Sequence, residues 1–128
     1  MSVPEDRKYT ESHEWAKPEG DVVRVGITDF AQSQLADLTF VELPEVGRVV
    51  EAGEEIAVVE SVKAASDLYA PVSGSIVETN ESLESAPEAI NDDAFEAGWM
   101  FVIEPNESSA IYGLLDAAAY SALIPQDD

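Results

Sequence analysis

Glu60-Ser-Val-Lys-Ala-Ala-Ser-Asp-Leu-Tyr-Ala-Pro-Val-Ser-Gly74 is the stretch on which the reading of this chain turns. From Val49 to Asp128 the sequence holds seventeen Asp and Glu but a single basic residue, Lys63. Around that lysine runs a weak internal repeat, in which Pro44–Ile56 (PEVGRVVEAGEEI) returns as Pro71–Leu83 (PVSGSIVETNESL) at an offset of 27 residues. Proline, glycine, valine and two glutamates recur in place; Ile76 stands for Val49, Leu83 for Ile56 and Asn80 for Gly53. Glycine and asparagine both tolerate left-handed backbone, so the last exchange predicts matching turns at 53 and 80. Lys63 and Ala64 straddle the midpoint of the two copies, where a connection between strand pairs related by a rough dyad turns over. The plainer alternative is a solvated surface lysine between apolar strands. Val62-Lys-Ala-Ala65 also lacks the Asn-Gly or Asp-Gly pair of a tight hairpin, so propensity alone places no turn there.

The chain has 128 residues, enough for one domain with a proper core and too few for two of ordinary size. An apolar content of 45% with seven glycines and seven prolines is that of a globular protein. There is no cysteine, hence no disulfide, thiol nucleophile or thiolate metal site, which suits a reducing compartment. The N-terminus, Met-Ser-Val-Pro-Glu-Asp-Arg-Lys, has neither a secretory signal's apolar core nor the look of a transit peptide, and no apolar run approaches spanning length. These features predict a soluble, cytoplasmic protein. A formal net charge of −21 repels phosphate backbones and anionic lipid, which argues against nucleic-acid and membrane-surface functions. The acidity either steers basic partners or belongs to a halophilic source whose salt screens self-repulsion; its even spread along the chain favours the halophile.

In chain order, Tyr9-Thr-Glu-Ser-His-Glu-Trp15 reads as an edge strand or extended arm anchored by its two rings. His13, the only histidine, makes a catalytic zinc site improbable. Glu19-Gly-Asp21 is a turn, and Val22–Thr28 a β-branched strand. Asp29 followed by Gln32 predicts a capping box opening a short helix that ends near Ala36-Asp37, with Phe30, Ala31, Leu35 and Leu38 inward. Leu38–Leu43 resumes as a strand and stops at Pro44. Strands of four to six residues then alternate with turns through Val77, the spacing of a sandwich or partly closed barrel. Glu84–Asp93 reads as an irregular loop with Ile90 turned inward, and Gly98–Ile103 as the last strand. Ser108 or Ser109 predicts the start of a helix carrying Ile111, Leu114, Leu115, Ala118 and Leu123 at helical spacing, interrupted by Gly113 and ended by Pro125 and the acidic tail.

Six strings in order resemble the H protein family of the glycine cleavage system, from about Tyr9 to Tyr120. They are Tyr-Thr-x-Ser-His-Glu-Trp at 9–15, Val-Gly-Ile-Thr at 25–28, Phe-Val-Glu-Leu-Pro-x-x-Gly at 40–47, Glu-Ser-Val-Lys-Ala-Ala-Ser-Asp at 60–67, Pro-Val-Ser-Gly at 71–74 and Asn-Asp-Asp…Gly-Trp-Met at 91–100. The resemblance implies a mainly β barrel-sandwich hybrid, with a short helix near 29–37 and a C-terminal helix near 108–123. It implies one lipoyl-carrier domain over 1–128: an arm at 1–19, a core at about 20–104 and the C-terminal helix region at 105–128. Lipoate would be in amide linkage to Lys63 at a hairpin tip. Biotin carriers resemble Ala-Met-Lys-Met, and the lipoyl domains of 2-oxo-acid dehydrogenase complexes Asp-Lys-Ala; neither has the Ser-His-Glu-Trp arm.

What else the resemblance implies is a carrier, not an enzyme, acting as a monomer. Its arm accepts an aminomethyl group from the PLP-dependent glycine decarboxylase, hands it to the aminomethyltransferase, and is reoxidised by dihydrolipoamide dehydrogenase, after loading by a lipoate ligase or lipoyl transferase. Family residues that face the loaded arm in its cleft match Ser12, Glu14 and Asp67. A lipoyl carrier or relay scaffold for another complex is the alternative. An enzyme using Lys63 as Schiff-base or general base is disfavoured, since a hairpin tip amid carboxylates keeps the amine protonated. Where family members carry Leu-Gly-Asp, this chain has Leu35-Ala36-Asp37; alanine tolerates a left-handed C-cap poorly, which predicts a different helix ending.

Overall fold

A computed structural model describes residues 3–124. Two antiparallel sheets form a sandwich-like β body. The larger is built from β1 (Lys8–Tyr9), β2 (Glu14–Glu19), β3 (Val22–Ile27), β5 (Val49–Val50), β8 (Gly74–Thr79) and β9 (Phe101–Pro105), in the order β1-β2-β3-β9-β8-β5. The smaller holds β4 (Leu38–Glu42), β6 (Glu55–Ser61) and β7 (Ala65–Tyr69), with β6 central. The mainly β barrel-sandwich architecture is therefore as expected. The two copies of the internal repeat meet directly, since β5 and β8 pair with Val49 opposite Ser75 and Val50 opposite Gly74.

Alternation puts Val23, Val25 and Ile27 of β3 and Ala57 and Val59 of β6, with Ile56 added at a register shift between Glu55 and Ala57, into a common core with Leu68, Val72, Ile76, Phe101 and Ile103. A second, smaller cluster gathers Tyr9, Trp15, Ala117, Tyr120 and Ile124. It explains the arm. Tyr9 through Trp15 is not one strand but a hairpin, with Tyr9 opposite Trp15 across a turn at 10–13. The turn is tight enough to need His13 at φ 73°, and both rings point inward instead of merely anchoring an edge. Tyr9 stacks on Tyr120 at 4.7 Å. The Trp15 indole donates to Ala94 O at 2.9 Å beneath the guanidinium of Arg7. A Cβ at residue 26 would lie 2.7 Å from that indole, so Gly26 is where β3 lets the ring through.

All four α-helices of the described residues are short. The first, α1 (Asp29–Leu35), forms where expected, but its N-cap is Thr28, whose hydroxyl accepts from Ala31 N; Asp29 is the first helical residue and its carboxylate accepts from the Gln32 amide at 2.8 Å. Thr28 wins because β3 delivers it in extended conformation, as a cap requires. The helix does end differently from a left-handed C-cap: Ala36 takes a positive φ of 64°, but its ψ of −144° lies far from the left-handed helical basin. Within the expected loop, α2 (Ser82–Ser85) and α3 (Glu88–Asp92) bury Leu83 and Ile90. No helix of the described residues is long and apolar enough to cross a membrane.

The predicted helix over 108–123 is broken. A 3-10 segment, Ser108–Gly113, gives way to extended backbone at Leu114–Leu115, and α4 covers only Ala117–Leu123. Leu115 exchanges two main-chain hydrogen bonds with Tyr9, at 2.8 and 2.9 Å, and Asp116 caps α4 by accepting from Ala119 N. The apolar positions thus serve two cores: Ile111 and Leu114 the first, Leu115, Ala117 and Tyr120 the second. A strand partner at Tyr9 and a cap residue at 116 outweigh a helix that Gly113 already weakens. Pro125 and the acidic tail lie outside the described residues. A turn does open at Asn80, where Leu83 N donates to Asn80 O, but it is not the left-handed counterpart of Gly53, which has φ 87°. The Asn80 amide donates instead to Ala97 O and Trp99 O, tying β8 to the approach of β9.

Candidate functional site

Lys63 sits at the tip of the β6–β7 hairpin, between Ser61 and Ala65, and is exposed. The turn that no Asn-Gly pair announces is made by Ser61. Its hydroxyl oxygen accepts from Lys63 N and Ala64 N, both at 3.1 Å, while Ser61 N donates to Ala64 O at 2.8 Å. A serine side chain replacing main-chain acceptors in this way is a local turn signal in its own right. Next to the tip stands the corner that joins α1 to β4. Val62 N donates to Asp37 O at 3.2 Å, and Lys63 Nζ donates to Gln34 O at 3.2 Å. That is the one hydrogen bond of the amine among the described residues, and no carboxylate there forms an ion pair with it. The amine is presented to solvent on a braced turn.

Glu14 is not the exposed strand residue that pattern suggests; its relative exposure is 1%. Thr10 and Ser12 hydroxyls each donate to Oε1 at 2.6 Å, and Tyr69 N donates to Oε2 at 3.3 Å. Burial pushes its carboxyl above the ordinary carboxylate range, against the pull of the Ser12, Thr10 and main-chain hydrogen bonds. The structure therefore brings Ser12 and Glu14 together and joins them to the far end of β7. Asp67 is exposed on that same strand, opposite Val58, two residues before Tyr69. By alternation it shares a face with Tyr69, about 7 Å along the strand. No hydrogen bond joins Asp67 to Glu14. From Tyr69 to Lys63 is six residues, roughly 20 Å of extended chain, a span no bare lysine side chain covers.

Residues with no predicted role complete the arrangement. Thr10 serves Glu14, and its place in the Tyr-Thr-x-Ser-His-Glu-Trp string was the available signal. Asn91 serves the corner: its amide donates to Ala36 O at 2.8 Å and Gln32 Oε1 at 2.9 Å, and its oxygen accepts from Leu38 N at 3.0 Å. His13 is structural. Its Nδ1 lies 2.8 Å from Tyr120 OH, which also meets Thr28 Oγ1 at 2.7 Å, and burial holds the imidazole below its ordinary range. A depression of about 510 Å³, lined by Tyr9, Ser12, Gly113 and Leu115 among others, takes in Ser12 but neither Glu14 nor Asp67.

The family model described as Glycine cleavage H-protein matches residues 7–127. This chain belongs to the glycine cleavage H-protein family. It is 56% identical over 127 residues to the glycine cleavage system H protein of Thermus thermophilus, covering 99% of both chains. Against the same protein of Anaeromyxobacter sp. the identity is 52% over 128 residues, with both chains covered in full. The crystal structure of a glycine cleavage system H protein from Mycobacterium marinum superposes with a TM-score of 0.85 at 46% identity, over 94% of this chain and 97% of that one. A member of this family is a lipoyl-carrying shuttle and not an enzyme. In such a protein the chemistry belongs to the visiting enzymes. What the fold must supply is an accessible amine on a stiff base.

Proposed function

We propose that Lys63 is the lipoyl attachment residue of this H protein, and that Ser12, Glu14 and Asp67 shelter the loaded arm. The observation that carries the reading is the Lys63 amine itself, exposed on a braced hairpin tip and, among the described residues, bonded only to a main-chain carbonyl. Such an amine loses no ion pair when its charge is removed. Acylation at Nζ forms one C–N bond to an activated carboxylic acid, releases the activating group with its bonding pair, and removes two protons from the ammonium. Lipoate, when bound, supplies a redox-active disulfide at the end of a flexible chain. Ser61, the Gln34 carbonyl and the Asp37 carbonyl keep the tip from yielding, so the flexibility stays in the arm.

At the other end of β7, Glu14 Oε2 accepts from Tyr69 N alone among the described residues, which leaves acceptor capacity for a primary amine, and Asp67 is exposed on the same strand two residues before Tyr69. A carboxylate buried to this degree offers an acceptor while excluding hydrolytic water. The partners in this proposal are the glycine decarboxylase, the aminomethyltransferase, dihydrolipoamide dehydrogenase and a lipoate ligase or lipoyl transferase, met by a monomeric carrier domain in the cytoplasm. The acidity is assigned to a halophilic source. Intact-protein mass after incubation with lipoate, ATP and a ligase tests the attachment. One lipoyl adduct on the native chain and none on Lys63→Arg is expected; an adduct that survives the substitution overturns it.

A further inference from the structure

The hydrogen bond from Lys63 Nζ to Gln34 O does more than park a free amine, because its supports converge on a single side chain in another element. Residues 34–37 form the C-terminal corner of α1, and Ala36 in that corner holds a positive φ of 64°. Asn91 brackets the corner, donating to Ala36 O on one side of Asp37 and accepting from Leu38 N on the other. A third contact, to Gln32 Oε1, reaches back into the helix. Asn91 is itself fixed by α3, whose Ile90 is fully buried. The corner in turn receives the hairpin tip through Val62 N on Asp37 O.

We infer that this corner holds the root of the modified lysine: the one N–H left on Nζ after acylation donates to Gln34 O, and Asn91 is the positioning residue that keeps the carbonyl in place. The inference rests on the attachment proposed above. An ammonium has three hydrogens and satisfies a carbonyl from any rotation about its stem. An amide has one hydrogen, fixed in a plane with its acyl group. The same hydrogen bond that is loose for the amine therefore becomes directional for the amide, and sets the heading with which the arm leaves the protein. The acceptor is main chain, so the side chain of residue 34 is irrelevant to it. Asn91 is not.

The test is hydrogen exchange of the Nζ amide in protein labelled with 15N-lysine, enzymatically lipoylated and verified by intact mass. Measurement in molar salt screens the acidic surface's repulsion of hydroxide. Free Nε-lipoyl-lysine in the same buffer is the reference. Exchange roughly 3- to 10-fold slower than the reference is expected, as for an exposed but formed amide hydrogen bond. Gln34→Ala should keep that protection and Asn91→Ala should lose it, with the adduct mass unchanged in both. Exchange at the reference rate in the folded, lipoylated native chain overturns the inference and leaves the attachment standing. A missing adduct overturns the attachment first. Protection that persists in Asn91→Ala removes Asn91 from the account; should that variant fail to fold, Asn91→Asp, which keeps the acceptor for Leu38 N and loses the donor to Ala36 O, takes its place.

Discussion

Ala36 is the position where this chain is most visibly under backbone strain, and Ala36→Gly should relieve it. At φ 64°, ψ −144° the residue adjoins the region of conformational space that only glycine populates readily. Holding a non-glycine residue in such a region costs about 1–3 kcal/mol. Glycine gives part of that back, because the unfolded chain gains about 0.4–1 kcal/mol of conformational entropy. The half-buried methyl contributes a further fraction of the roughly 0.8 kcal/mol of a fully buried one. The net gain is about 1 kcal/mol, which for a chain of this length raises Tm by about 4 °C. Nothing that braces the corner is lost: Ala36 N still donates to Gln32 O, and Asn91 still donates to the carbonyl of residue 36. Urea unfolding at fixed high salt measures the change directly, with an unchanged m-value showing that the effect is on stability. A midpoint that falls, or does not move, refutes the strain argument and means the packing of α1 carries the corner instead.

Glu14→Ala should shorten the lifetime of the aminomethyl-loaded arm toward hydrolysis while leaving lipoylation of Lys63 intact; an unchanged lifetime removes Glu14 from the sheltering role. The same carboxyl should leave a mark on stability. Burial raises it above its ordinary 4.5, so the folded protein keeps a proton that the unfolded chain has released. Its contribution is complete below that ordinary value and is lost as pH climbs through the raised one. Glu14→Gln should flatten this decline, and parallel stability–pH curves for the two proteins would contradict the burial argument. With a net charge of −21, Tm should rise between low and molar salt as self-repulsion is screened; full stability at low ionic strength would count against a halophilic origin.

Much of this is legible in the sequence. Short β-branched runs separated by Gly and Pro specify the strands, because period-two alternation and turn chemistry are local properties. The Pro44–Ile56 repeat correctly pointed to the turn at Lys63, yet its explanation of Asn80 was mistaken, since that side chain bonds to a segment nearly twenty residues away. The C-terminal helix failed for a similar reason. Helical spacing at 111–123 is real, but the residues divide between two cores, and the partner that breaks the helix, Tyr9, is more than a hundred residues distant.

The candidate site divides along the same line. Sequence by itself determined the single lysine between residues 49 and 128 and the acidic setting around it; that Ser61 bends its hairpin shows only in the hydrogen bonds of the folded tip. Only the tertiary structure decided that Glu14 is buried against Tyr69 N, that Ser12 leans on it, and that Asn91 of α3 steadies the corner beneath Lys63. Such pairings depend on where sheets and helices meet in space. A residue's own neighbours in the chain carry no record of that.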